Sequence, residues 1–482
     1  MKVKALDQFL DKALRPLAAA FLLFLILLLQ YSLRLQYGPG GILSDADSAK
    51  FACIMLEGGA AHTPLFPIYT LFLKFFGKLG IFYDPGARAA FFSAVLLSFS
   101  LCFLFDGLRR RGGSLLVAFL AAWAVSFLPF LTICATEATP IALSFFFFFL
   151  LFDLFQIGEL PLCIKMLPLG LLAFHDPLGL FFAALLLPLL FAFALKEKLL
   201  KSFFLGLVLT LALGLLPYLY ILKLLYARES LEFVTRERPI ATLLMAAFNG
   251  QFWNNYFCYG AGEWLEKARV NASLLSGVQR PPLFVAPLLL LGLFFAPDKK
   301  DVWKGALFFG AALLATLLFL VPSYHFYPLQ WFWLLNGFLA VFTALALGVL
   351  FSSDLKFLLL PLAVLALLVL PAHSSAALES RRSSFEAAKL AHTFGSLPYG
   401  SALLSEDVYT AGQYYRYYRL AFPELVSEGV AVTDDVLKGR RHFFFSPAIL
   451  ELCDESGVKY YLFTNVDGTS VYELGEKPDG EE

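Results

Sequence analysis

Long apolar runs, separated by short polar breaks, fill most of the chain up to residue 372. A helix needs about 20 apolar residues to cross a bilayer core. On that measure the pattern predicts about eleven spans, near 16–34, 87–106, 114–133, 139–156, 161–175, 177–194, 202–222, 282–296, 305–321, 328–351 and 355–371. The stretch 161–194 is interrupted by His175-Asp176-Pro177, a polar break that argues for two spans. No small-residue cleavage site follows the first run, so it is expected to stay as a span. After residue 372 the pattern changes. An amphipathic helix from Ser383 precedes a short apolar run at Ala402–Leu404 and a tyrosine-rich helix over Tyr409–Leu420. Strands are expected at Gly429–Val432, His442–Phe445, Lys459–Thr464 and Ser470–Leu474, with a helix at Pro447–Glu455. Short strands alternating with helices predict a small α/β domain over 373–475, followed by a polar, disordered tail over 476–482. The fold class expected is therefore an all-α polytopic membrane protein over 1–372 with a small C-terminal α/β domain.

Composition supports the membrane reading. Hydrophobic residues make up 59% of the chain, charged residues only 15%, and mean hydropathy is +0.73, which excludes an ordinary soluble domain. Net charge is zero, so its placement carries the information. Lys2, Lys4, Lys12 and Arg15 precede the first span. Arg109–Arg111, Lys196 with Lys198 and Lys201, Lys299 with Lys300 and Lys304, and Lys356 fall in alternate loops. Basic residues in short loops mark the cytoplasmic side. The N-terminus is thus expected inside a plasma or inner membrane. The loops near 35–86 and 223–281, with the C-terminal domain, are expected outside. Cys53, Cys102, Cys134, Cys163, Cys258 and Cys453 show no metal-ligand or CxxC spacing and read as unpaired fillers.

Candidate chemistry gathers on the expected outer face. Asp45 and Asp47 open a helix over 47–55 that would lie on the membrane with Phe51, Ile54 and Met55 toward lipid. Either acid could simply cap that helix. Either could also act as a general base beside a lipid-borne substrate. The run His62-Thr63-Pro64-Leu65-Phe66-Pro67 holds the chain extended before a second surface helix over 68–79. Lys74 and Lys78 on that helix suit snorkelling, whereas these lysines or Lys50 could hold a phosphate as point charges. Glu137, the pair His175 and Asp176, and the pair Tyr324 and His325 stand at span ends on the same side. Each has an ordinary role as a helix cap or interfacial anchor and a second one as a substrate contact. Asn271-Ala-Ser would accept a glycan only in a eukaryotic lumen. No oxygen-rich metal signature is present, so no metal ligands are assigned, although Glu137 could bind a divalent ion.

The string from Asp47 through Met55, followed by Gly58 and His62-Thr-Pro-Leu-Phe-Pro, resembles the first outer loop of the GT-C superfamily of polytopic glycosyltransferases. The likeness is greatest to the protein O-mannosyltransferase-like branch and extends to bacterial aminoarabinose transferases. Ala135-Thr-Glu-Ala138 and the run Phe394–Asp407 look like later features of that branch. Ser48, Lys50, Thr63 and Leu65 depart from its pattern, so any second acid would have to be Asp45 or Glu137. The resemblance implies transfer of a sugar from a polyprenyl-phosphate or polyprenyl-diphosphate carrier, with inversion, to a protein, lipid or glycan acceptor. Asp47 would be the base, Lys50 a phosphate contact and His62 a second polar contact. Two other readings compete: a flippase for lipid-linked sugars, and a non-catalytic envelope-assembly protein. Few polar residues (Ser126, Thr210, Thr316) lie mid-span, which disfavours a translocation path. Nothing points to a nucleic-acid partner.

Overall fold

The structure is a computed structural model that describes residues 2–35, 46–59, 66–82, 84–111, 114–226, 241, 258–278, 299–323, 332–352, 371–372, 375, 378, 393–404, 408–433, 443–445, 454, 457–466 and 469–475. Helix α1 (Lys2–Ser32) buries Leu23, Leu27 and Tyr31, one residue per turn, and leaves Phe21, Leu25 and Leu29 exposed. That split is the signature of a helix with one face on protein and the rest in lipid. Two short helices follow, α2 (Ala46–Glu57) and α3 (Pro67–Gly77), then the long α4 (Pro85–Arg110). Helix α4 is the spine of the bundle, lying against α1, α2, α3 and the later helices α5 (Leu115–Val125), α6 (Pro129–Thr136) and α7 (Ile141–Gln156). Its 26 residues reach about 39 Å at 1.5 Å per residue.

Four helical stretches among the described residues are long and apolar enough to cross a membrane: Arg15–Ser32, Pro85–Arg110, Pro177–Lys196 and Leu200–Leu224. Shorter apolar helices occupy Ile141–Gln156, Leu162–His175, Gly310–Leu320 and Trp333–Leu347, where spans were also expected. The expected spans at 282–296 and 355–371 lie outside the described residues. The span expected at 114–133 is not straight, because α5 and α6 meet at a bend of 75°. Pro129 opens α6 and lacks an N–H, and Leu128 before it is extended. The Ser126 carbonyl next to the break accepts hydrogen bonds from the Tyr31 hydroxyl (3.2 Å) and Thr132 Oγ1 (3.1 Å). Backbone freed at membrane depth needs such partners. All eight residues of α6 are buried, so the bend delivers Glu137 to the interior of the bundle.

The chain continues through α8 (Leu162–Lys165), α9 (Leu167–His175), α10 (Pro177–Lys196), α11 (Leu200–Leu215) and α12 (Tyr218–Tyr226). Asp176 and Pro177 make the corner between α9 and α10, as the polar break predicts. Helices α9 and α11 cross closely: a Cβ on Gly170 would fall on the Thr210 carbonyl, and one on Gly214 on the Phe174 ring. Helix α13 (Trp264–Val278) meets the end of α14 (Lys299–Leu320), and α15 (Trp333–Ser352) packs on α5, α7 and α14.

Beyond residue 400 the described elements are β1 (Ala402–Leu404), α16 (Val408–Ala421), β2 (Ala431–Thr433), β3 (Phe443–Phe445), β4 (Tyr460–Val466) and β5 (Thr469–Leu474). They form one sheet of order β2-β1-β3-β5-β4, parallel across β1 with both neighbours and antiparallel beyond β3. The expected helices in the segments from Ser383 and over Pro447–Glu455 lie almost wholly outside the described residues. Helix α16 packs on α2, and α2 carries the largest correction to the sequence reading. Phe51, Ile54 and Met55, expected to face lipid, are buried in protein. Phe51 meets Phe66 and Tyr69 edge-on and Met55 lies against Gly77, so α3 covers much of the α2 face that looks membrane-bound in isolation. Helix α16, more than 350 residues later, packs on α2 as well.

Candidate functional site

Helix α2 sets out the first part of the site. Asp47 occupies its first turn, where unpaired N–H groups and the helix dipole favour a carboxylate. Lys50 lies one turn on, with Nζ 3.7 Å from Asp47 Oδ1. The Lys50 side chain is fully buried, whereas that of Asp47 is 14% exposed. The carboxylate is therefore the member of the pair that meets the surroundings, and the ammonium backs it from inside.

Ser48 Oγ donates to the Ala138 carbonyl (3.2 Å), tying the start of α2 to the turn after α6. That turn is held from two more directions. The Thr139 N–H donates to Ser93 Oγ on α4 (3.2 Å), and His175 Nε2 at the end of α9 donates to the Pro140 carbonyl (3.0 Å). Glu137, at the C-terminal end of α6, is buried beside this junction. The His175 ring lies edge-on to Phe66 (5.5 Å between centroids) and to Phe147 (6.0 Å). Phe66 precedes α3 with φ of 41°, a left-handed backbone that is uncommon for an aromatic residue. The junction thus gathers α2, the residue before α3, α4, the Glu137 turn and α9.

Asp176 follows His175 and caps α10. Its Oδ1 accepts from the Gly179 N–H (3.1 Å) and its Oδ2 from Ser144 Oγ (3.2 Å). The Trp333 indole N–H stands beside the same carboxyl without closing a well-aligned hydrogen bond. Burial pushes the Asp176 carboxyl up to about 6, and its hydrogen bonds oppose that rise. Both oxygens serve the fold here, one as a helix cap and one as a link to α7.

Of the residues singled out in the sequence, Asp47, Lys50, Glu137, His175 and Asp176 lie on elements joined by these contacts. Asp45, His62, Tyr324 and His325 lie outside the described residues. Ser93, Ser144 and Trp333 were not singled out. A tryptophan at the end of an apolar run is a usual interfacial feature, and that signal was present at Trp333. The serines had none, since a single hydroxyl in an apolar helix says nothing about its partner. Among the described residues no group of three or more His, Cys, Asp or Glu could hold a metal ion.

No known protein family matches the chain, and no curated protein sequence does. Among solved structures, the crystal structure of ArnT from Cupriavidus metallidurans in the apo state aligns with 96% of this chain and 98% of that chain. Its TM-score is 0.55 and the sequences are 13% identical. A likeness at that identity is one of architecture. The chain shares the polytopic, mostly helical architecture of that structure, with a small sheet-bearing region near the C-terminus.

Proposed function

We propose that this protein is an integral-membrane glycosyltransferase that moves a sugar from a polyprenyl-phosphate or polyprenyl-diphosphate carrier to an acceptor, with Asp47 as the base. The observation that carries the reading is the Asp47–Lys50 pair, with its carboxylate outward and its ammonium buried, at a helix start tied by Ser48 to the Glu137 turn. The architecture shared with ArnT supports the polytopic membrane frame that such a reaction needs.

The chemistry follows from what such a reaction needs. A lipid phosphate leaves as an anion, so protonating the leaving group is not the main difficulty. The acceptor hydroxyl or amine has to lose a proton as it attacks the anomeric carbon, and Asp47 takes that proton. Attack opposite the departing phosphate inverts the configuration. Lys50 balances the charge of Asp47, and a carrier phosphate would have to compete with that carboxylate for the ammonium. Glu137 orients the acceptor, while His175 and Asp176 form the wall behind it. His62, Tyr324 and His325 complete the substrate contacts, with Asp45 as an auxiliary acid. The working face is the one where α2 meets α16, extracytoplasmic by the distribution of Lys and Arg in the loops.

The test is transfer by the purified protein from radiolabelled polyprenyl-linked sugars. Asp47→Asn is expected to cut turnover by roughly 100-fold or more. Undiminished transfer by that variant would move the base elsewhere. Failure of the unsubstituted protein with every donor, together with carrier movement across vesicles, would favour a flippase.

A further inference from the structure

Helix α16 does more than pack near α2; it is fastened at two adjacent residues. Arg416 Nη2 donates to Glu57 Oε2 (2.7 Å) at the last residue of α2. The Tyr417 hydroxyl donates to Asp84 Oδ1 (2.7 Å) and accepts from the Gly86 N–H (3.2 Å). Asp84 is itself the N-cap of α4, accepting from the Gly86 and Ala87 N–H groups. Tyr417 therefore enters the cap of the central helix as one of its members. Burial, with the Asp84 carboxylate beside it, pushes the phenol well above its ordinary range and keeps it a donor. The two fastenings do not carry equal weight. The Arg416–Glu57 pair is part-exposed, a class of ion pair whose net worth is small because solvent screens it. Tyr417 is fully buried, and deleting its hydroxyl removes a hydrogen bond to a carboxylate, the stronger class of such bonds, although Asp84 and the Gly86 N–H keep each other as partners.

We infer that Arg416 and Tyr417 are positioning residues: by pinning α16 onto α2 and α4, they set where α2 presents Asp47. The inference rests on the reading of Asp47 as the base, and extends it by making the C-terminal region a wall of the active site. Cys53 gives a readout independent of catalysis, because it is a cysteine buried on α2 and in no disulfide, whereas Cys258 is exposed and serves as an internal control.

The experiment uses the full-length protein in nanodiscs, comparing Tyr417→Phe, Arg416→Ala, their double variant, and the charge swap Arg416→Glu with Glu57→Arg. Maleimide labelling of each cysteine is followed by mass spectrometry alongside transfer kinetics. Cys53 labelling is expected to rise roughly tenfold in Tyr417→Phe and about twofold in Arg416→Ala, with Cys258 unchanged. Turnover should fall in step, with the KM for donor within about twofold, and the swap should restore both. Unaltered Cys53 protection in the double variant would overturn the inference. So would raised labelling with unchanged turnover. If the unsubstituted protein transfers from no donor, the enzymatic reading fails, and Cys53 labelling still decides whether α16 fastens α2.

Discussion

A single ion pair separates two accounts of the first-loop lysine. If Lys50 supports Asp47, as the 3.7 Å separation and its full burial favour, Lys50→Met should lower turnover about tenfold with little change in the KM for donor. If Lys50 instead grips the carrier phosphate, the KM for donor should rise. Steady-state kinetics on that variant distinguish the two. The same substitution should destabilise the protein by roughly 1–3 kcal/mol, below the usual figure for breaking a buried pair because Asp47 still reaches solvent; thermal inactivation in detergent measures it. At this scale the sequence was informative about residue type. Asp47, Glu137, His175 and Asp176, the acids and histidine at span ends that the structure describes, lie on elements that meet around the α2–Glu137 junction. Asp45, His62 and His325 lie outside the described residues. It was silent about pairing, since the spacing of Asp47 and Lys50 shows that they can meet on a helix but not which of the two is buried.

Elements were legible where the pattern is local. The strands over 431–433, 443–445, 460–466 and 469–474 and the helix over 408–421 follow from short apolar and aromatic runs between turn residues. Two misreadings have definite physical causes. The bend between α5 and α6 was signalled by Pro129, but a continuous apolar run outweighed one proline in a window of spanning length. The outward aspect given to Phe51, Ile54 and Met55 failed because amphipathy identifies an apolar face without identifying its cover. The α9–α11 crossing yields a prediction of its own. Gly170→Ala should force these helices apart at a cost of about 1–3 kcal/mol, lowering the midpoint of thermal inactivation. It should also weaken transfer, because His175 and Asp176 stand at the end of the same helix.

Over the whole molecule, α4 orders the two faces. Its Pro85 end meets α16 through Tyr417, and its other end carries Arg109 and Arg110, both bonded to Asp106. If the arginine end is cytoplasmic, a membrane-impermeant maleimide should label Cys258 in right-side-out vesicles. A cysteine replacing Arg111 should be labelled only when the vesicles are inverted. The reverse pattern would turn the molecule over. The orientation is an expectation from basic residues in alternate loops, and the labelling tests it. The close union of the two ends of the chain was not readable, since 333 residues separate Tyr417 from Asp84. That separation bears on biosynthesis. A ribosome releases α2 long before it makes α16, so the part of α2 on which α16 packs waits without that cover for most of translation. Lipid or a chaperone has to shield that surface in the interim, and the junction of α2 with α16 comes together only after α16 has emerged.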